Sequence, residues 1–153
     1  MTSPGKDAPA PAIRSAELSD VPAALNIAQQ APAASQWTAE QYRSLIVQGV
    51  MLVAERENKI CGFIAAQTGG GNWEIENVVV GKEHLRQGIA SLLVREIMKR
   101  ARMGKASEVI LEVRESNHAA RSLYEKMGFR RQGIRPAYYR NPSEAAILYG
   151  ARP

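Results

Sequence analysis

The sequence predicts an α/β domain, α+β in its mixed sheet, with helices on both faces. Apolar runs of strand length alternate with segments of helical period, in the order β-α-α-β-β-β-α-β-α-β-β. Polar or glycine-rich turns join neighbouring runs early and late in the chain, which requires antiparallel pairs there. A strand–helix–strand step from Trp73 to Val113 is long enough to bring parallel neighbours together. The 153 residues suffice for one full core and not for two comfortable ones.

Residues 1–11 read as a disordered tail, because the Pro/Ala-rich stretch has little to bury, and the domain spans 12–153. Ile13 to Ala16 forms a short first strand. Ser19 is the expected N-cap of a helix with Pro22 in its first turn, which Ala31-Pro32-Ala33 breaks. Thr38 caps a second helix with Tyr42, Leu45 and Ile46 inward, ending before Gly49. Met51 to Glu55 and Ile60 to Gln67 are strands around the polar turn Arg56-Glu57-Asn58-Lys59. Gly69-Gly70-Gly71 lacks the Gly-Lys-Ser/Thr ending of a nucleotide loop and reads as a hairpin connection into the strand Trp73–Val80. Ile89, Leu92, Leu93 and Ile97 mark one face of a helix from Gly88 to about Met103, closed by Gly104. Val109–Val113 is a strand. Ser116 or Asn117 caps a short helix with Ala120, Leu123, Tyr124 and Met127 inward, ended by Gly128. Phe129–Ile134 and Ala146–Tyr149 are the last strands, joined by an arm containing Pro136, Tyr138, Tyr139 and Pro142.

Composition narrows the function. Apolar content of 45% and charged content of 23% are those of a water-soluble globular protein. The single Cys61 allows no internal disulfide, fits a reducing compartment, and reads as a buried small hydrophobe. With His84 and His118 it gives no metal-ligand spacing, so no metal is expected. There is neither a secretory signal nor a membrane-length apolar run, and the cytoplasm is the default. The net charge of +5 is spread along the chain rather than interleaved with aromatics, which argues against direct nucleic-acid binding.

The chemistry begins at Glu83 to Leu93, where a strand runs through a basic turn with small residues into a helix. Gly88 and Ala90 let a ligand approach the backbone. The first helix amides have no internal partner and sit at the positive end of the dipole, a site for phosphate.

This order of elements, with its glycine turn, resembles the GNAT N-acetyltransferases over nearly all of Ile13 to Tyr149. The family's acetyl-CoA turn reads Gln/Arg-x-x-Gly-x-Gly/Ala. Here Leu85-Arg86-Gln87-Gly88-Ile89-Ala90 matches both small positions and departs at Leu85. The run from Leu111-Glu112-Val113-Arg114 through Asn117 and Leu123-Tyr124-Glu125 to Gly128-Phe129 is similar to the bacterial ribosomal-protein alanine N-acetyltransferases, the RimI group. Trp37-Thr38 and Ile134-Arg135-Pro136-Ala137-Tyr138-Tyr139 share that likeness. After Tyr139 the chain looks shorter than typical members, and Ala145 stands where an acidic residue is common.

The resemblance implies an acetyl-CoA-dependent enzyme acting on a protein N-terminal amine, that of a small-subunit ribosomal protein beginning with alanine. It implies a monomer or weak dimer working without membrane or direct nucleic acid. A transferase acting on a small amine, and a non-catalytic acyl-CoA-binding module, stay open beside it. On alternation alone Glu112 is a strand residue facing away from Leu111 and Val113; the resemblance makes it the base, through a water. Tyr124, otherwise a packing residue, becomes the acid that protonates the leaving thiolate. Val78, Val79 and Val80 contribute backbone to the acetyl carbonyl and pantetheine. Arg86, Gln87, Gly88, Ile89, Ala90 and Ser91 surround the pyrophosphate. Asn117 bonds the pantetheine arm, caps its helix, or both, and Arg121 reaches the outer phosphate or sits in water. Trp37, Glu76, Tyr138 and Tyr139 line the acceptor pocket, which Glu76 and Glu115 make acidic.

Overall fold

The computed structural model describes residues 9–31, 34–140 and 142–153, and their elements follow the expected order. They are β1 (Ala12–Ser15), α1 (Val21–Gln29), α2 (Ala39–Gln48), β2 (Val50–Arg56), β3 (Lys59–Gly69) and β4 (Asn72–Val80). Then come α3 (Ile89–Met103), β5 (Glu108–Arg114), α4 (His118–Lys126), β6 (Arg130–Tyr139) and β7 (Glu144–Ala151). The strands form one sheet in the order β1-β2-β3-β4-β5-β7-β6. All neighbours are antiparallel except β4 and β5, the pair joined by α3. Most of the predicted tail, residues 1–8, and the helix break at Pro32 and Ala33 lie outside the described residues.

Both faces of the sheet are covered. Leu52, Ile64, Leu111 and Tyr149 pack with Leu93 and Ile97 of α3 and Tyr124 of α4. Val53, Phe63 and Val79 pack on the opposite face with Ala24 and Ile27 of α1 and Tyr42 and Leu45 of α2. Strands buried on both faces read as near-continuous apolar runs, which is why β2 and β3 show little alternation.

Local chemistry sets the connections. Thr38 accepts from the Gln41 amide while Gln41 accepts from the Thr38 amide, a reciprocal cap that starts α2. Glu57 and Asn58, both at positive φ, make the tight turn between β2 and β3. Gly70 and Gly71 do the same between β3 and β4.

Two expectations are corrected. Ser19 caps nothing: it lies inside a 3-10 turn, Leu18–Asp20, and Asp20 precedes α1. The Asp20 carboxylate accepts from the Glu17 amide and from Arg14, and the Arg14 guanidinium pulls its pKa below the usual carboxylate value. The late arm is mostly strand. β6 runs on to Tyr139 through an irregularity after Arg135, where Ala137 takes a positive φ.

Candidate active site

A cleft opens where β4 and β5 part. Their parallel pairing covers Asn72–Ile75 against Glu108–Leu111 and stops there. β4 meanwhile keeps its ladder with β3 as far as Val80 opposite Gly62. Glu76 is a bulge in that ladder, because Ile75 faces Ala66 and Asn77 faces Ala65. The extra residue reverses the alternation: Ile75 packs in the α3/α4 core and Val79 in the α1/α2 core. From Glu76 onward the edge of β4 that faces β5 has no strand partner among the described residues, which leaves its main-chain groups open to a ligand.

On the α3/α4 side the cleft is a cavity of about 400 Å³ lined by Val78, Val79, Val80, Leu85, Arg86, Gly88, Ile89, Ala90, Ser91, Leu123 and Tyr124, among others. Gly88, at φ 77°, precedes α3 in the left-handed conformation, and Arg86 is left-handed too at φ 63°. Among the described residues, no atom beyond those of its chain neighbours lies within 4 Å of where a Gly88 Cβ would stand. Open space over a left-handed glycine, at unpaired helix N-terminal amides, suits a diphosphate, and the apolar wall of Val78, Val80 and Leu123 suits a flexible uncharged arm. The residues present therefore fit a coenzyme A-like ligand.

The α1/α2 side is a second cavity of about 430 Å³, with Glu76, Glu112, Asn117, Tyr124 and Tyr139 in its wall. The two cavities share Ala34, Val78, Asn117, Ala120 and Tyr124, so they are two ends of one cleft. Glu112 stands between buried Leu111 and Val113, as alternation requires, with its side chain 18% exposed. Its Oε1 lies 3.2 Å from Nε of Arg135 on β6. Glu76 is pushed up to about 7, first by burial and then by repulsion from Glu74 and Glu112. Tyr139 carries the Arg114 guanidinium 4.2 Å over its ring. Tyr138 is half exposed and stands edge-on to Tyr139, at the rim rather than in the wall. The charge of Glu112 pushes its hydroxyl pKa up.

Tyr124 is buried on α4, with its ring edge-on to Phe129 at 5.6 Å. Its hydroxyl makes no hydrogen bond among the described residues and is not sealed from the cleft. Burial raises its pKa well above the ordinary phenol value. Asn117 caps α4, its Oδ1 accepting from the Ala120 amide, and still lines both cavities.

Four expected residues stand elsewhere. Trp37, just before α2, lines a separate recess with Gln41, Gln48 and Gln67, its ring tilted against that of Tyr42 at 5.5 Å. Arg121 faces away from the cleft, donating to the Tyr149 hydroxyl and the Glu115 carbonyl, and so ties α4 to β7. Glu115 is exposed beyond the cleft wall. The Gln87 side chain turns outward and accepts from Arg56, which leaves only its backbone toward the ligand. The sequence reading missed Arg135 and Asn77. Asn77 is buried and donates to the Ser35 carbonyl and the Tyr42 hydroxyl, holding the segment before α2 over the cleft. Its only signal was an amide beside Glu76, immediately before the run Val78-Val79-Val80. Ala145 itself is not acidic, but its neighbour Glu144 accepts from the Ser116 amide and pairs with Arg114.

The comparisons agree with this geometry. The profile of the Acetyltransferase (GNAT) family matches residues 16–129. The [ribosomal protein bS18]-alanine N-acetyltransferase of Escherichia coli (strain K12) is 31% identical over 128 residues, covering 83% of this chain and 86% of its own. The crystal structure of the ribosomal-protein-S18-alanine N-acetyltransferase from Escherichia coli superposes with a TM-score of 0.82 at 29% identity, covering 92% of each chain. An acetyltransferase from Bacillus anthracis str. Ames, solved in complex with acetyl coenzyme A, superposes with a TM-score of 0.63 at 28% identity, over 67% of this chain and 61% of that one. With the family profile spanning most of the domain, the chain belongs to the GNAT family of N-acetyltransferases.

Proposed function

We propose that this enzyme moves an acetyl group from acetyl-CoA to the α-amine of a protein N-terminus, namely a small-subunit ribosomal protein that begins with alanine. The observation that carries the reading is the parting of β4 and β5, which brings Glu112 and Tyr124 into one cleft whose far end is the left-handed turn at Gly88. Likeness to the bS18-alanine enzyme supports the choice of acceptor.

When bound, the donor supplies a thioester carbonyl open to attack. The main-chain amides from Gly88 to Ser91 hold its diphosphate, and Arg86 adds charge at the rim. The unpartnered edge of β4 at Val78–Val80 orients the arm and polarises the carbonyl. Glu112, through a water, takes the proton that the attacking amine loses. Tyr124 gives its Oη proton to the departing sulfur and regains one from solvent. Burial keeps that proton in place at neutral pH.

The carboxylates favour an α-amine near basic residues. With a pKa near 8, about a tenth of an α-amine is already neutral at pH 7, against about one part in a few thousand for a lysine near 10.4. The base therefore has less to do for the first than for the second. Glu112, with Glu76 to the extent that it is ionised, gives the cleft wall a negative charge that attracts the cationic start of a basic peptide. A ribosomal acceptor places the reaction in the cytoplasm, where the thiol of Cys61 stays free.

Thiol release from acetyl-CoA tests the reading. A peptide starting with alanine and followed by basic residues is expected to release thiol, and its N-blocked form is not. Release with polyamines or free amino acids alone would assign a small-molecule acceptor, and release with none would leave a non-catalytic binder.

A further inference from the structure

Arg56 closes β2, far in sequence from the Gly88 turn, yet its guanidinium ends beside it. Nη1 donates to Gln87 Oε1 at 2.7 Å and Nε donates to the Pro9 carbonyl at 2.7 Å. Gln87 stands between Arg86 and Gly88, the two left-handed residues of the turn. A non-glycine residue in that conformation persists only where its surroundings hold it. Leu85, 57% exposed, supplies no polar anchor of its own to the turn.

We infer that Arg56 is a positioning residue for the diphosphate turn: clamped by Pro9, it fixes Gln87 and so aims the amides around Gly88. The inference rests on the coenzyme A reading above. The planar fork suits this role, because two N–H groups of fixed relative direction reach two acceptors on different segments. An ammonium has the charge and not the fork.

Calorimetry with CoA and steady-state kinetics on the full chain test it, using Arg56→Lys, Arg56→Ala, Gln87→Ala and the double variant Arg56→Ala with Gln87→Ala. Arg56→Lys is expected to weaken CoA binding and raise the KM for acetyl-CoA by roughly three- to tenfold. The kcat, the acceptor KM and the melting temperature stay at the wild-type values. The double variant costs no more than Arg56→Ala alone, because that change already removes the Gln87 contact. If Arg56→Lys binds CoA like wild type, or if acceptor KM and melting temperature move together with CoA affinity, the inference is overturned. If the wild-type chain gives no heat with CoA, the cofactor reading itself fails, which is a different result.

Discussion

Replacing Glu112 by Gln keeps its volume and removes the carboxylate that stands between buried Leu111 and Val113 in the shared cleft. General bases contribute about 10²–10⁴ in rate. Glu112 is 18% exposed, so water competes for its work and the low end applies: about a hundredfold loss of kcat at pH 7. The loss should shrink as pH rises. An α-amine with a pKa near 8 goes from about a tenth neutral at pH 7 to about nine-tenths at pH 9, so the variant recovers close to tenfold. The acceptor KM also rises a few-fold, because Arg135 loses its carboxylate and faces the incoming ammonium unpaired. Thiol release at saturating acetyl-CoA, followed from pH 6.5 to pH 9.5 (a range set by the ~8 pKa of the amine), reads both effects. A variant as fast as wild type at neutral pH, or one with the same deficit at every pH, would refute the assignment.

Other changes have equally definite outcomes. Tyr124→Phe keeps the packing on Phe129 and removes a hydroxyl that has no hydrogen-bond partner among the described residues, so kcat falls about ten- to a hundredfold while melting temperature and KM for acetyl-CoA hold. Glu76→Gln changes the pH dependence of stability. With its carboxyl at about 7 rather than 4.5, the folded chain holds more protons than the unfolded one between those values, so wild-type stability falls as pH rises through that window. Discounted for solvent at a half-buried site, that loss is about 1 kcal/mol. The Gln variant should therefore melt about 2–4 °C higher at pH 8 and equal wild type at or below pH 4.5, and equal melting at both would contradict the cause given. Gly88→Ala costs about 1 kcal/mol for a side chain in the left-handed region, and its Cβ enters the space over the turn; calorimetry should show CoA affinity down tenfold or more. Asn77→Ala strips a partner from the fully buried Tyr42 hydroxyl and costs about 1–3 kcal/mol by denaturant unfolding, with a raised acceptor KM as the segment before α2 loosens.

Much of this was legible before any coordinates. Periodicity located α3 and its buried face, alternation set Glu112 against Leu111 and Val113, and glycine or Asn/Glu turns fixed the hairpins. The left-handed turn at Gly88 was legible because backbone conformation of this kind is written in small residues. The failures share a different origin. Arg121 and Gln87 have long side chains whose direction depends on partners distant in sequence, Tyr149 and Arg56, and Trp37 turns into a recess that it shares with Gln67, thirty residues on. No local pattern records such choices. The bulge at Glu76 is likewise invisible along one strand, since it is defined by register against Ala65 and Ala66. Asp20 displaced Ser19 because Arg14 from β1 holds its carboxylate, a contact between segments.

A crystal structure of the chain with CoA tests the central claim most directly. The diphosphate is expected on the main-chain N–H groups from Gly88 to Ser91, with the arm running between Val78–Val80 and α4 and the sulfur beside the Tyr124 hydroxyl. Density in the Trp37 recess instead, with nothing at the Gly88 turn, would contradict it.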